Sequence, residues 1–441
     1  MRRLVPVLLA TSVTLTACGS SDESETVATD PPTTDAPPET DPPTTDTPVE
    51  TDPPATDAPP ETDPPTTDAP VETDPPATDP PATDPPPPEL AAFTPTGIGE
   101  YAVGVQTIEI IDPSRERTLT VDVTFPLAPG STGEPHRYSF ITGDYYESPR
   151  AVTSDAAQIA TDGPFPLVVY THGSGGLRYI HSDYSETLAS HGYVVVAADH
   201  TGNTAVDQFL DTETDRATTA YNRPRDVQIL VDEMTNPENS ATAGFVGSVD
   251  PERIAVTGHS LGGYGTLAVA GGMSNEAGTI EPDDRIGAVI PLAPALGDGD
   301  PASSLLVAEQ LARVEVPMLV MVGTDDSSTP PSPNVDRAMA EVSSDVAYRV
   351  DLVAAEHQSF TDVCDYLDFF PSLDPPPTPA VVGIIEAFAE QGCAPDDMPI
   401  DRVKDITNTF AVAFLDSVFE GGEMITADNT EIPDDVLFAQ K

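Results

Sequence analysis

The chain has 441 residues, with 18 Lys or Arg against 74 Asp or Glu, and a formal charge of −56. With no basic patch to neutralise phosphates, nucleic acid is excluded as a partner. Length alone would allow two or three domains, but the 50 prolines crowd into one segment and make the composition lopsided.

Residues 1–18, MRRLVPVLLATSVTLTAC, open on Arg2-Arg3 and continue into a short apolar run that ends Leu15-Thr16-Ala17-Cys18. This is the layout of a secretory signal, and the run is shorter than the roughly 20 apolar residues that span a bilayer. Cys18 directly after small residues resembles a bacterial lipobox. Its thiol is expected to be acylated, which would make a membrane, reached through a lipid anchor at Cys18, the first partner. Residues 19–91 contain no Lys, Arg or aromatic side chain, and repeat with a period of eleven, as in TDPPTTDAPPE and TDPPTTDTPVE. Without an apolar face to offset the chain entropy lost on folding, this stretch reads as a disordered acidic stalk. Its proline pairs favour an extended polyproline II path.

Residues 92–441 have the composition of one large folded domain. It opens with two alternating runs, YAVGVQTIEIID and RTLTVDVTFPL, read as an antiparallel pair around Asp112-Pro113-Ser114. Short, nearly continuous apolar runs follow: FPLVVYTHG, YVVVAADH, RIAVTGHS, IGAVIPLAP, PMLVMVG and AYRVDLVA. Such runs suit strands buried on both faces. Helix-like segments alternate with them, so the fold class is α/β, with a mostly parallel central sheet and helices on both faces. Ligands on such sheets sit at the carboxyl ends of the strands, which is where His172, Ser260, Asp325, Asp326 and His357 fall.

TGHSLGGYG places Ser260 in a G-x-S-x-G pattern between a predicted strand and a predicted helix, the setting of an exposed nucleophile on a sharp turn. A serine nucleophile needs a base. Of the seven histidines, His357 follows the last parallel strand and completes the order Ser, Asp, His of the α/β-hydrolases. His259 beside the serine reads as packing. His172 opens a glycine turn whose backbone is the expected functional part. The oxyanion of a tetrahedral intermediate needs two N–H donors, each worth about 3–4 kcal/mol. Leu261 and Ser174 are the candidates. Arg178 and Tyr179, just beyond, would line the pocket or pack beneath it. Cys364 and Cys393, in an exported protein, read as a disulfide, with buried thiols as the alternative.

HGSGGLRYIHSDYSETLASHGYVVVAADH, GHSLGG and HQSFTD resemble the platelet-activating-factor acetylhydrolase and dienelactone-hydrolase-like branch of the α/β-hydrolase superfamily, here in a bacterial lipoprotein form. VGVQTIEIIDPSRERTLTVDVTFP is similar to it as well, so the resemblance extends over residues 98–420. It implies the α/β-hydrolase fold and hydrolysis of carboxylic esters, the type substrate being an alkyl-acetyl-glycerophosphocholine, with no cofactor and no metal. It supports Ser260 as nucleophile, His357 as base, and the N–H groups of Ser174 and Leu261. A dienelactone hydrolase proper would carry Cys in place of Ser260. The animal acetylhydrolases carry their acid after the strand that follows the nucleophile helix, where this chain has Pro291-Leu292-Ala293. The acid is therefore expected one strand later, in VGTDDSSTP. Asp326, four residues before Pro330, is preferred to Asp325, because related esterases share that offset. The expected activity is that of a cell-surface serine esterase on small or lipid-derived esters. A cutinase-like polyesterase or lipase is the alternative, and a catalytically dead adhesion module on a stalk is the reading from another class.

Overall fold

In Phe165–Thr171, FPLVVYT, all seven residues are buried, and Val194–Ala198 and Met318–Gly323 are equally enclosed. Each fully buried Val, Leu or Met contributes about 1.5–3 kcal/mol relative to exposure. Strands of this kind fold only when covered on both faces, and the layout follows from that. The computed structural model describes residues 90–140, 143–236 and 241–441. The leader, Cys18 and the repeat segment up to residue 89 lie outside the described residues. Ala91, inside the span read as stalk, already pairs with Thr430 as Ala92 does with Glu431, so the folded region starts slightly earlier than the composition change suggests.

The strands of the main sheet, numbered here in chain order, are β1 (Val103–Asp112), β2 (Arg117–Pro126), β3 (Pro135–Phe140), β4 (Gly143–Thr153), β5 (Phe165–Thr171), β6 (Val194–Ala198), β7 (Val249–His259), β8 (Ile286–Leu292), β9 (Met318–Gly323), β10 (Ala347–Leu352) and β11 (Val436–Gln440). Their spatial order is β11-β10-β9-β8-β7-β5-β6-β2-β1-β4-β3. The run from β6 through β10 is parallel. β1 and β2 form the expected antiparallel pair, in register from Val103–Pro126 to Asp112–Arg117. This is the α/β-hydrolase fold. The β3–β4 hairpin and the edge strand β11 have no counterpart in the sequence reading. PHRYSF alternates over only six residues, with His136 and Tyr138 rather than aliphatic residues at its buried positions, and GDYYESPRAVT mixes charge, proline and aromatics without clean alternation.

The helices are α1 (Ser182–Ser190), α2 (Ala205–Leu210), α3 (Arg216–Thr235), α4 (Leu261–Gly271), α5 (Ala308–Leu311), α6 (Pro331–Glu341), α7 (Val363–Phe369), α8 (Pro379–Ala389) and α9 (Ile400–Phe419). Helix α3 begins seven residues before the apolar pattern does and carries Pro224 inside it. A proline there leaves the carbonyl four residues back without its helical donor. The Tyr264 hydroxyl of α4 supplies that donor to Ala220 O at 3.0 Å, which joins α3 to the helix behind Ser260. Among the described residues, no helix is long and apolar enough to cross a membrane, and no cluster of three or more His, Cys, Asp or Glu could hold a metal ion.

Candidate active site

Strands β5, β7, β9 and β10 all end on the same edge of the sheet, and each delivers one part of the site. Ser260 follows β7 with φ 58° and ψ −116°, a backbone conformation that costs a non-glycine residue about 1–3 kcal/mol. Its surroundings hold it there. Ser260 N donates to Leu292 O at 2.9 Å, while Ser260 O accepts from Ala295 N at 3.0 Å and Tyr264 N at 3.1 Å. The two glycines of the pattern are required by space. A Cβ on Gly262 would sit 1.8 Å from Thr171 O, and one on Gly258 would sit 2.5 Å from the same atom. Leu261 opens α4, so its N–H is among those left without an intrahelical partner.

The acid pair separates. Asp325 is exposed, and among the described residues its carboxylate accepts only the Thr324 hydroxyl, at 3.0 Å. Asp326 is 3 % exposed, and its Oδ2 lies 2.8 Å from His357 Nδ1. Its other oxygen accepts the N–H groups of Ser328 at 2.9 Å and Thr329 at 2.7 Å. The Thr329 hydroxyl donates to Ala293 O at 2.9 Å and lies 3.0 Å from Asp326 Oδ2 and 3.1 Å from His357 Nδ1. Burial opposes ionisation of Asp326, but its bond to His357 and the donors from Thr329 outweigh it and hold the carboxyl below its ordinary pKa. The carboxylate therefore persists, and it fixes the His357 proton on Nδ1, which leaves Nε2 as the unprotonated nitrogen.

His259 does more than pack. Burial and the neighbouring His357 keep it neutral, with a pKa well below the usual histidine value. Its Nε2 lies 2.9 Å from His357 O, an acceptor, so the ring donates there and props the loop that carries His357. The rings lie 4.5 Å apart. Ser260 and His357 face one cavity of about 580 Å³. No hydrogen bond joins the Ser260 hydroxyl to His357 among the described residues, a contact that commonly tightens only around substrate.

The rest of the cavity is neutral. Gly173 to Gly176 form one side, with Ser174 at the opening. Val381, Ile384, Ile385 and Phe388 of α8, with Leu177 and Ile180, supply its apolar lining. Among the described residues, no Asp, Glu, Lys or Arg lines it. Cys364, at the start of α7, is disulfide-bonded to Cys393, just past the end of α8. Arg178 and Tyr179 are not cavity residues. Arg178 pairs with Asp199 at 2.7 Å, and the buried Tyr179 donates its hydroxyl to Ser139 O at 2.6 Å.

The family model for platelet-activating factor acetylhydrolase, isoform II, matches residues 136–243, a span that holds the Gly173–Gly176 turn but none of Ser260, Asp326 or His357. Cutinase 2 of Thermobifida cellulosilytica is 36% identical over 106 residues, covering 24% of this chain and 34% of the relative. Platelet-activating factor acetylhydrolase of Bos taurus is 34% identical over 69 residues, covering 16% of each. Over these spans the chain is similar to the acetylhydrolases and cutinases. It spans about a third or less of the length of these relatives. A ferulic acid esterase from Streptomyces cinnamoneus shares the fold over 79% of this chain and 99% of its own, with a TM-score of 0.57 at 21% identity.

Two supports of the site escaped the sequence reading. One is the side chain of His172, and the other is Arg223 on α3, inside RPRDVQILVDEM. Both hold the backbone of the Gly173–Gly176 turn. The available signal was an arginine in a helix whose apolar pattern buries that face.

Proposed function

We propose that this chain is a serine carboxylic-ester hydrolase that works through an acyl-enzyme. His357 Nε2 takes the proton of Ser260 Oγ as that oxygen attacks the ester carbonyl carbon. Asp326 holds the tautomer and stabilises the imidazolium. The N–H groups of Leu261 and Ser174 receive the oxyanion. His357 then returns the proton to the departing alcohol. Water, activated by the same imidazole, releases the acid and restores Ser260. The observation that carries this reading is the 2.8 Å Asp326–His357 bond opening onto the same cavity as a serine with positive φ.

The neutral cavity favours an uncharged ester whose acyl or alkyl part lies along α8. A phosphate would find no cation there, so small neutral esters and uncharged lipid-derived esters fit better than phospholipids. A cutinase-like action on polyester is the second reading, favoured by the identity to cutinases. The absence of tryptophan in the chain weighs mildly against it. Export and display at the cell surface through an acylated Cys18 complete the proposal, and Cys18→Ala should move the protein from membrane to medium. The test of substrate class is a panel of p-nitrophenyl esters, a neutral acylglycerol, a phospholipid and a polyester film, with Ser260→Ala as the control. Turnover of neutral esters that needs Ser260 is expected. Turnover only of phospholipid would overturn the substrate class, and turnover unchanged by Ser260→Ala would overturn the mechanism.

A further inference from the structure

An N–H donor at Ser174 serves an oxyanion only if the peptide joining Gly173 to Ser174 keeps its plane fixed. In a trans peptide the carbonyl and the N–H point in opposite directions, so whatever holds Gly173 O aims Ser174 N–H the other way. This peptide runs beside the nucleophile: a Cβ on Gly173 would sit 3.3 Å from Ser260 Cβ. Gly173 O accepts from Arg223 Nη2 at 2.9 Å, His172 Nδ1 at 2.7 Å and Gly176 N at 3.2 Å. The His172 tautomer follows from its other nitrogen. Nε2 accepts the backbone N–H of His200 at 3.1 Å, so the ring proton is on Nδ1 and faces Gly173 O.

Arg223 also holds the preceding peptide, donating from Nη1 to His172 O at 2.6 Å, and it reaches Asn203 Oδ1 from Nη2 at 2.6 Å. It is 1 % exposed, and it forms no ion pair among the described residues. Burying a charge without such a pair costs several kcal/mol unless its donors are satisfied. Here the acceptors are the His172 and Gly173 carbonyls and Asn203 Oδ1, while Nε has no hydrogen-bond partner among the described residues. Burial pushes the guanidinium down to about 9, so it stays charged at neutral pH.

We propose that Arg223 is a positioning residue for ester hydrolysis: its guanidinium grips the His172 and Gly173 carbonyls and so turns the Ser174 N–H into the cavity. The inference rests on the hydrolase reading above. A planar fork can hold two successive carbonyls at once, which a lysine ammonium on a flexible stem does not reproduce. A charged donor on the carbonyl also polarises the same amide, which makes the Ser174 N–H a stronger donor.

The test uses the full chain and two readouts. These are kcat and KM on p-nitrophenyl acetate, and the affinity of phenylboronic acid, which forms a tetrahedral adduct on a serine. For Arg223→Lys and Arg223→Met, kcat should fall by about 10²–10³-fold with KM nearly unchanged, and boronate affinity should fall with kcat. Asn203→Ala removes one acceptor and leaves the cation buried. Because Asn203 Nδ2 also donates to Ser174 Oγ at 3.2 Å, Ser174→Ala is its control. Asn203→Ala should lower kcat by about tenfold, the equivalent of one hydrogen bond, and Ser174→Ala by less, and the pair decides the matter if neither Arg223 variant folds. A folded Arg223→Lys or Arg223→Met with wild-type kcat, or with its loss confined to KM, overturns the proposal. So does an unaffected Asn203→Ala, or an equal loss in Ser174→Ala, where the arginine variants do not fold. A wild-type protein inert on every ester removes the hydrolase reading, and this proposal with it. An active wild type with indifferent variants removes only the role of Arg223.

Discussion

The two walls of the cavity are held by different physics. The wall at the strand ends carries Ser260, Asp326 and His357 and is fixed by directed bonds: Asp326 alone takes two backbone N–H groups besides His357. Behind it stand buried charges, Arg223 and the Asp226 cluster. The other wall is α8, PAVVGIIEAFA, whose buried residues Val381, Ile385 and Ala389 are apolar and whose far end is followed by Cys393, bonded to Cys364. Directed bonds set atoms to tenths of an ångström, whereas apolar packing tolerates changes of shape. Chemistry and selectivity should therefore separate by wall.

The largest effect belongs to the strand-end wall. His357→Ala should lower kcat by about 10⁶-fold on any ester, as removal of a triad base does elsewhere. Asp326→Asn should cost about 10⁴-fold by upsetting the tautomer. Asp325→Asn, on an exposed side chain, should leave kcat unchanged. Equal losses from the two asparagines would break the assignment of the acid.

The support behind this wall should also respond to acid, which the α8 wall should not. Asp226 is fully buried and bonded to Arg115 at 2.7 Å, Arg117 at 2.8 Å and His200 at 2.9 Å. Burial opposes its charge, but His200 and the two arginines outweigh burial and depress its pKa far below the ordinary value. With a depressed native pKa, the unfolded state binds more protons. The contribution is complete above the unfolded pKa, about 4, and fades as the pH falls further. Asp226→Asn should cost about 3–5 kcal/mol at pH 7. In urea unfolding the gap to wild type should narrow below about pH 4, and a gap constant from pH 7 to pH 3 would contradict this.

The smallest effect should come from the apolar wall. Ile385→Ala should leave p-nitrophenyl acetate hydrolysis near wild type and lower kcat/KM for a long acyl ester by about tenfold or more, the worth of lost methylene contacts. An equal loss on acetate would mean that α8 supports the chemistry as well.

The same division explains what was legible in the sequence. Ser260, His357 and the loop of Asp326 announce themselves because a sharp turn demands glycines at 258 and 262 and because the parts follow a chain order. The parallel strands are legible because strands covered on both faces must be apolar throughout. The residues that tune the site are less visible. Arg223 reads as one charge on a helix until Pro224 and the turn it faces are known. His172 reads as backbone punctuation, because a sequence does not show which atoms a ring nitrogen meets. Apolar residues at helical spacing look alike whether they fill a core or line a cavity, so α8 gave no sign of its role. The β3–β4 hairpin is hard to see because the buried residues of β3, His136 and Tyr138, are polar aromatics that do not mark an apolar face.

The central claim is that Ser260 is a nucleophile activated by His357 and Asp326. The most direct measurement is mass spectrometry of the full chain after treatment with a fluorophosphonate. The expected result is one phosphonyl group per chain, mapped to Ser260, absent in Ser260→Ala and strongly slowed in His357→Ala. An unlabelled wild-type protein, or a label on any other residue, would contradict the claim.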